Sequence, residues 1–346
     1  MPNLRDVARL AEVDPSTVSR VLRGDPRQAV RNDTRERILD AARALQYRPN
    51  ALARGLRTRR TDTIGLIIPS LDNVGFSEVL HGIQAAAAEA GKLVIVVEAN
   101  ALRRIGGESD EHYARLISDG RVDGLIVAFA TLDDQLVAQL AARALPLVLV
   151  NRRTVGIHGS VVVNDEVGSI KAVRHLIELG HQRIAFVGLD ADTDTARRRE
   201  RGYRRAMEQG GLEVANAWVV KAPPTEEGGR DAIARLLAVP SNDRPTGIFA
   251  ASLLEAMGVL AGIREAELQI PGDISLIAFN DHPLAAHMSP PLTTVRMANF
   301  RMGHEAVRML LGAVDGEPVE DRMIQDEPVV VVRASTGPPP RPSPSA

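Results

Sequence analysis

The sequence of 346 residues contains no cysteine. This absence excludes disulfide bonds, a thiol nucleophile and a zinc site with cysteine ligands, and it favours a cytoplasmic location. The sequence also lacks an apolar run of about 18 residues, the length needed to span a bilayer. Its first residues, Met1–Asp6, lack the apolar segment of a signal peptide. We therefore expect a cytoplasmic protein with no membrane partner.

Enzyme signatures are absent as well. The sequence has no G-x-G-x-x-G, no G-x-x-x-x-G-K-[ST], no H-E-x-x-H and no G-x-S-x-G. His282 and His287 are five residues apart, and His175 and His181 are six apart, spacings that do not place either pair on one face of a helix. We expect structural histidines rather than a metal pair. The sequence therefore predicts no catalytic residue, no metal and no cofactor, and the protein is not expected to be an enzyme.

Charge is divided unevenly along the chain. Residues 1–60 carry 14 arginines and seven carboxylates, a net charge of +7. The other 286 residues carry 28 basic and 37 acidic side chains, a net charge of −9. A small basic segment joined to a larger acidic body indicates that the basic segment meets a polyanion.

The basic segment begins with a pattern typical of a helix-turn-helix. A first helix is predicted by apolar residues at helical spacing: Leu4, Val7, Ala8 and Ala11. Asp14 can cap a second helix that has Pro15 at its first position. The inward face of this second helix is formed by Val18, Val21 and Leu22. Its outward face is polar and small, apart from one arginine, and consists of Ser16, Thr17, Ser19 and Arg20. Such a face fits the major groove of DNA, where an arginine can reach guanine or a phosphate.

Two further segments complete the basic head. A third helix is predicted over 33–45, after a loop at Gly24–Pro26. Pro49 then ends the preceding helix, and Asn50 can cap a short helix over the following eight residues. A helix of that length containing Gly55 is too weak to form alone in water. We expect it to order on DNA and against its copy in a second subunit.

From Thr61 onward the pattern changes to alternating strands and helices. Ile64–Ile68 is a continuous apolar run, which is typical of a strand buried on both faces. Further strands are predicted at 93–97, 124–128, 147–150, 184–187, 247–250 and 274–279, and helices at 77–90, 167–179 and 198–209. This alternation predicts an α/β body with parallel sheets, which bind ligands at the carboxyl ends of their strands.

The head resembles the headpiece and hinge of the LacI family of transcription regulators, over nearly all of residues 4–58. The segments that carry the resemblance are DVARLAEVDPSTVSRVL and TRERILDAARALQYRPNALARGLRT. The resemblance implies that Pro15, Ser16 and Arg20 read bases, and that Leu56 wedges into the minor groove at the operator centre. Glu12 departs from the family pattern, which has glycine in the turn, and Asp14 departs from a usual serine.

The body resembles the two-lobed, periplasmic-binding-protein-like core of the same family. The markers are HLIELGHQRIAFVG, RRRERGYRRAM, IPGDISLIAFND and SPPLTTVR. The implied organisation is a headpiece at 1–47, a hinge helix and linker at 48–60, an effector-binding and dimerisation core at 61–335, and a disordered Pro/Ser-rich tail at 336–346. Within the core, the first lobe is expected at 61–160 plus 292–322 and the second at 161–291 plus 323–335.

The resemblance also implies a set of effector contacts between the lobes: Phe76, Asn151, Arg199, Ser252, Leu253, Asn280 and Asn299. Asn151, Leu253 and Asn280 stand where the family commonly has aspartate, whereas Arg199 is kept. Arg152 and Arg153 lie nearby in sequence, and Pro223 and Pro224 replace an aromatic platform. Since carboxylates repel a negative ligand, their loss favours an anionic effector such as a sugar acid, a phosphorylated sugar or a small carboxylate.

We therefore interpret the chain as a regulator that binds double-stranded, pseudo-palindromic operator DNA as a homodimer. The expected mode is a repressor that a small-molecule effector releases from DNA. A corepressor-dependent repressor and an activator remain open, because the same pocket can couple to DNA with either sign. A small-molecule binding protein with a vestigial head is the alternative from another class.

Overall fold

The computed structural model of the protein describes residues 2–23, 30–47, 60–99, 120–132, 134–143, 145–190 and 192–341. The chain divides into two compact units, Met1–Thr61 and Asp62–Ala346. The loop predicted at Gly24–Pro26 and the hinge helix, with Asn50 and Leu56, lie outside the described residues.

The described part of the first unit contains three helices: α1 (Leu4–Leu10), α2 (Pro15–Arg23) and α3 (Asn32–Ala44). They enclose a small core that includes every inward residue expected from the sequence, and its fully covered members are Val7, Ala8, Ala11, Val18, Val21, Ile38, Ala41 and Ala42. Asn3 caps α1 in a reciprocal capping box with Asp6. The predicted helix-turn-helix is therefore confirmed.

The second unit is built from alternating strands and helices, as predicted. Its strands are β1 (Thr63–Ile68), β2 (Leu93–Glu98), β3 (Gly124–Val127), β4 (Leu147–Val150), β5 (Ser160–Val162), β6 (Ile184–Leu189), β7 (Val219–Ala222), β8 (Gly247–Ala250), β9 (Ser275–Phe279), β10 (Thr293–Arg296), β11 (Arg322–Met323) and β12 (Val329–Val331). Its described helices are α4 (Ser77–Glu89), α5 (Gln135–Ala141), α6 (Asp165–Glu178), α7 (Asp194–Gln209), α8 (Glu226–Leu237), α9 (Leu253–Glu265) and α10 (Asn299–Val314). None of these helices is both long enough and apolar enough to cross a bilayer.

The strands form two six-stranded sheets, which define two lobes. The first-lobe sheet has the order β11-β5-β4-β3-β1-β2, and all its pairs are parallel. The second-lobe sheet has the order β12-β10-β9-β8-β6-β7, in which only the β10–β12 pair is antiparallel. The mixed α/β class with parallel sheets is confirmed.

The chain crosses between the lobes at positions that differ from the sequence-based expectation. β5 ends at Val162 inside the first-lobe sheet, so the first crossing lies after 162 rather than at 160. Thr293–Arg296 belongs to the second-lobe sheet, where it pairs with β9 and β12, so the assignment of 292–322 to the first lobe is wrong at its start. β11 lies in the first lobe and includes Met323. These pairings join strands distant in sequence, and local periodicity does not specify such partners.

The C-terminal segment is ordered further than its composition suggested. The Thr336 hydroxyl lies 2.9 Å from Nε2 of His175, and the Gly337 carbonyl lies 2.9 Å from Nε2 of His181. Gly337 also exchanges two hydrogen bonds of 3.0 Å with Ser275. The prediction of a disordered tail beginning at Thr336 is therefore wrong for Thr336 and Gly337. Both histidines take structural roles, which agrees with the expectation that they are not a metal pair.

Close approach of two second-lobe helices determines where the cleft arginines lie. A Cβ atom at Gly202 of α7 would lie 2.4 Å from the Glu166 carbonyl oxygen and 2.6 Å from Cβ of Ser169, both on α6. Only glycine allows this distance between the helices. The contact brings the first turns of α7 against the start of α6, so Arg198 and Arg199 reach Asp165.

We expect Gly202→Ala to destabilise the second unit by about 1–3 kcal/mol, because the added methyl group forces α6 and α7 apart. Urea unfolding followed by the fluorescence of Trp218, the one tryptophan of the chain, measures this change. Gly272→Ala is the control, since a Cβ atom there meets only the Gln269 side chain, at 3.1 Å. Equal stability of the two variants would contradict the account of the α6–α7 contact.

Candidate functional site

The start of α2 is fixed by a side-chain cap. The backbone N–H of Ser16 donates to Oδ1 of Asp14 at 2.7 Å, and Pro15 occupies the first helical position. Hydrogen bonds from the Ser16 side chain and backbone lower the pKa of Asp14. Asp14, one of the two departures from the family pattern, therefore supplies the cap that orients the exposed face of α2.

The predicted DNA-contacting side chains of α2 lie together on one face. The Arg20 guanidinium donates to the Ser16 carbonyl at 3.1 Å and to the hydroxyls of Ser16 at 3.3 Å and Thr17 at 3.2 Å. Ser16 is exposed, whereas Pro15, Thr17, Ser19 and Arg20 are partly exposed. Arg20 thus lies along its own helix, beside the hydroxyls of Ser16 and Thr17 on the same exposed face.

The turn between α1 and α2 contains a residue in the left-handed backbone region. Glu12 has φ 55°, and its side chain is exposed. This conformation costs an L-residue about 1–2 kcal/mol, whereas glycine adopts it freely. This backbone conformation explains why the family usually has glycine at this position. In this chain Glu12 adopts the same conformation with strain.

In the second unit, a cavity of about 90 Å³ lies between the carboxyl ends of the two sheets. It is lined by all seven residues expected to contact an effector, Phe76, Asn151, Arg199, Ser252, Leu253, Asn280 and Asn299. Its remaining lining residues are Pro69, Asn73, Gly75, Val79, Arg152, Leu189, Thr195 and Pro224. Among the described residues, the wall of this effector cleft thus carries two guanidinium groups and no carboxylate.

Behind the cleft, a buried carboxylate holds two arginines. Asp165, fully buried at the first position of α6, lies 2.8 Å from Nε of Arg199 and 2.6 Å from Nη1 of Arg198. Both arginines are only 5% exposed. Removing one partner from such an arrangement typically costs about 3–5 kcal/mol, because a charge is left buried without compensation. The sequence analysis missed Asp165 and Arg198, since an acidic residue at a helix start is ordinary.

Arg199 is fixed on three sides. Besides Asp165, its Nη1 donates to the Ala251 carbonyl at 2.7 Å, and its Cζ lies 4.1 Å from the centre of the Phe279 ring. These contacts hold the guanidinium at the ends of β8 and β9. Arg199 is therefore a preorganised positive group at the wall of the cleft.

Polar contacts from α7 reach across to the first lobe. The Asn151 carbonyl, directly after β4, accepts hydrogen bonds from the Thr195 hydroxyl at 3.3 Å and from Nη2 of Arg198 at 3.4 Å. Arg198 also donates to the Val163 carbonyl at 2.6 Å. Arg198, which holds Asp165, thus also connects the lobes at Asn151.

Arg152 is the positive group of the cleft that has no protein partner. Its Nε atom is buried, and no hydrogen bond or ion pair within the described part of the chain engages the guanidinium. Burial, followed by repulsion from Arg199, lowers its pKa to about 10. At neutral pH the group is still charged. Asp165 and Asp194 attract it through space, but neither forms an ion pair with it among the described contacts.

The two asparagines that replace the family's aspartates both have left-handed backbones. Asn151 has φ 65° and Asn280 has φ 70°, and each directly follows a strand. Asparagine is among the residues that tolerate this region best. Backbone conformation is therefore a second reason for asparagine here. The Asn280 side chain also accepts a hydrogen bond of 3.2 Å from Asn299.

A second carboxyl group, which the sequence analysis also missed, is buried in the second lobe. Glu255 is 0% exposed in the first turn of α9, and neither of its carboxyl oxygens has a hydrogen-bond partner. Burial raises its pKa to about 8, and Asp190 adds to this effect, whereas Ser252 and Arg199 act against it. Glu255 is therefore protonated at neutral pH and adds no negative charge near the cleft.

Within the ranges that the structure describes, no group of three or more histidine or acidic side chains could hold an ion.

An exposed helix-turn-helix on a basic unit, together with a polar cleft between two parallel-sheet lobes, defines a DNA-binding regulator with a ligand-binding core. Comparison with known proteins agrees. Residues 3–50 match the bacterial regulatory proteins of the lacI family, and residues 173–336 match the periplasmic binding protein-like domain.

Relatives are similar over nearly the whole chain. The HTH-type transcriptional repressor PurR of Aliivibrio fischeri is 33% identical over 341 residues, covering 97% of this chain and 98% of PurR. Catabolite control protein A of Priestia megaterium is 31% identical over 333 residues, covering 96% and 98%. The chain belongs to the LacI family. It is a DNA-binding transcription regulator and not an enzyme.

Solved structures share the fold. The lac repressor dimer bound to operator and the anti-inducer ONPF superposes with a TM-score of 0.81 at 26% identity, covering 97% of this chain and 99% of that one. The complex of the transcriptional regulator CelR with cellobiose gives a TM-score of 0.72 at 28% identity, covering 97% and 100%.

We expect Glu12→Gly to stabilise the helix-turn-helix by up to about 1 kcal/mol, because relief of backbone strain exceeds the entropy that glycine adds to the unfolded chain. Amide hydrogen exchange of α1 and α2 in the full-length protein measures the effect. Glu12→Gln is the control, since it removes the charge but keeps the Cβ atom. Slower exchange in both variants would assign the effect to charge instead.

We expect Glu255→Gln to reduce the loss of stability that occurs as the pH rises. The folded pKa of about 8 exceeds the ordinary value of 4.5, so the folded state keeps a proton that the unfolded chain releases. The contribution is complete below about pH 4.5 and is lost as the pH rises to 8, by at most about 1.4 kcal/mol per pH unit.

Urea unfolding at pH 5 and pH 8 tests this prediction. The stability of Glu255→Gln relative to wild type should increase between the two pH values. Exposed Glu213 provides the control substitution Glu213→Gln, which should show no such increase. Parallel pH profiles for wild type and Glu255→Gln would contradict a buried neutral carboxyl group.

Proposed function

We propose that the protein is a cytoplasmic, homodimeric repressor whose binding to a pseudo-palindromic operator is controlled by a small anionic effector in the cleft. The observation that carries the effector assignment is the unpaired guanidinium of Arg152, in a cleft whose described wall has no carboxylate. The DNA-binding part rests on the geometry of α2.

We assign operator contacts to the exposed face of α2 and to the hinge. Ser16, Thr17 and Ser19 are small enough for α2 to enter the major groove, and Arg20 can turn from its own helix towards a guanine or a phosphate. Pro15 fixes the first turn of this helix. Asn50 and Leu56 take the hinge roles that the family resemblance implies, with Leu56 as the wedge in the minor groove.

We assign effector contacts to both lobes of the cleft. A carboxylate or phosphate placed beside Arg152 would supply the missing counterion and would also meet the fixed guanidinium of Arg199. Asn151, Asn280, Asn299 and Ser252 offer neutral hydrogen-bonding groups around this position, and Phe76 and Leu253 offer apolar contact. The neutral state of Glu255 favours a negative ligand, because it adds no repulsion.

The same contacts suggest how the effector acts on DNA binding. A ligand in the cleft can touch Asn151 and Arg152 on the first lobe. It can also touch Arg199 and Asn280 on the second lobe. Such a ligand adds to the contacts that connect α7 with the end of β4. The relative position of the lobes then depends on the ligand. In a dimer, this change alters the first-lobe contacts between the subunits. The resulting coupling between effector and operator binding is typically about 1–3 kcal/mol.

The relatives are compatible with this assignment. PurR is a repressor, and the lac repressor was solved as a dimer on its operator. A corepressor-dependent repressor or an activator would use the same cleft with the opposite sign, and the change of operator affinity on adding effector distinguishes them.

We expect Arg152→Gln to weaken binding of the anionic effector by at least tenfold, because a charge-assisted contact is replaced by a neutral one. Isothermal titration of the full-length protein with sugar acids, sugar phosphates and small dicarboxylates, each beside its neutral analogue, identifies the ligand and measures the loss. The adjacent Arg153→Gln is a matched control, since Arg153 does not line the cleft. Tight binding of a neutral sugar without binding of any acid would refute the anionic assignment.

We expect Leu56→Ala to weaken operator binding sharply, because the minor-groove wedge is lost, while effector affinity is unchanged. Fluorescence anisotropy with a labelled operator measures the first quantity, and calorimetry measures the second. Wild-type operator affinity in the variant would contradict the hinge assignment.

A further inference from the structure

A second, apolar cavity lies beside the effector cleft, between α4 and the first-lobe sheet. Its volume is about 170 Å³. The buried part of its wall is entirely aliphatic and consists of Leu66, Ile68, Val79, Ile83, Ala128 and Val150. A cavity of about 150 Å³ with such a lining stays dry and can hold a benzene ring. The pocket is partly open past exposed Leu71, and its buried aliphatic wall favours an apolar group over water.

The polar residues of this wall do not change its character. The Ser77 hydroxyl donates to the Val74 carbonyl at 2.8 Å, and Oδ1 of the Asn73 side chain accepts from the Gly75 N–H at 3.1 Å. The Ser70 hydroxyl accepts from the Asp72 N–H at 3.2 Å. Each of these three side chains is thus engaged with the backbone of its own loop.

The apolar cavity and the effector cleft share part of their walls. Asn73, Phe76 and Val79 line both spaces. Phe76 ends the short turn before α4 and is only partly buried. A ligand with its charged group at Arg152 can therefore extend past Phe76 into the apolar cavity within the same lobe.

We propose that the effector is an amphiphilic organic anion, whose acid group binds at Arg152 and whose apolar group, about the size of a phenyl ring, fills the cavity beneath α4. This proposal rests on the anionic effector proposed above. A purely polar sugar acid would leave the aliphatic cavity empty, whereas an aryl or branched alkyl acid fills both spaces. Burial of a ring of this size should tighten binding at least tenfold relative to the same acid without it.

Two measurements test the proposal separately from the proposed function. In crystals of the full-length protein under xenon pressure, we expect a xenon atom between α4 and the first-lobe sheet. In calorimetry, we expect 3-phenylpropanoate to bind at least tenfold more tightly than propanoate. 3-Phenylpropanol, which has the ring without the charge, should bind more weakly than the aryl acid.

Variants then connect the ring to the cavity. Ala128→Ile fills the space from the sheet, and Leu80→Phe fills it from α4, in case the first substitution disturbs folding. Either should reduce the affinity for 3-phenylpropanoate to that for propanoate, and leave binding of propanoate unchanged. Arg152→Gln should weaken binding of both acids equally.

The outcomes separate the two proposals. Absence of xenon from this site, or equal affinity of the two acids for the wild-type protein, would overturn the apolar subsite and leave the anionic effector intact. Binding of the neutral alcohol or of neutral sugars without binding of either acid would overturn both.

Discussion

The ion pairs of Asp165 with Arg198 and Arg199 are the interaction on which the cleft depends. Placing a carboxylate at the buried start of α6 is unfavourable unless cations meet it there, and α7 can supply two only because Gly202 lets the helices touch. Once anchored, Arg199 is fixed at the end of the second-lobe sheet. Arg198 reaches the Asn151 carbonyl on the other lobe. One buried charge thus preorganises the ligand wall and connects the lobes.

The charge balance of the cleft follows from that arrangement. Arg198 and Arg199 are balanced by the carboxylates of Asp165 and Asp194, the latter 3.0 Å from Nε of Arg198. Glu255 adds no negative charge at neutral pH, because burial raises the pKa of its carboxyl group to about 8. Arg152 is therefore the charge that remains for a ligand. The pocket beneath α4, which shares part of its wall with the effector cleft, has an aliphatic buried lining. The described part of the core thus offers a cation in one space and apolar contact in the adjoining one. This combination gives the proposed effector both its charge and its shape.

Much of this arrangement could be predicted from the sequence. The predictions that are wrong or incomplete concern features that local sequence does not specify. The helix-turn-helix rests on local signals, such as the Asp14 cap and helical periodicity, so its prediction is confirmed. All seven residues expected in the cleft line one cavity. They were inferred from the resemblance to the family, and a shared fold brings matching positions to the same place. Long-range pairing is not encoded locally, so Thr293–Arg296 was placed in the wrong lobe. Backbone conformation is also not evident from the sequence. Asn151 and Asn280 both have left-handed backbones, so asparagine at these positions does not by itself indicate an anionic ligand. The anionic effector is therefore inferred from Arg152, whose guanidinium lines the cleft without a hydrogen-bond partner at Nε.

The central claim is that occupancy of the cleft changes the binding of a specific DNA sequence. It is tested most directly by selecting operators from random duplexes with the full-length protein, at two salt concentrations, with and without organic acids. The account predicts an enriched inverted repeat whose binding weakens when one anion is added. Binding that depends steeply on salt but not on sequence, and that no anion changes, would contradict it.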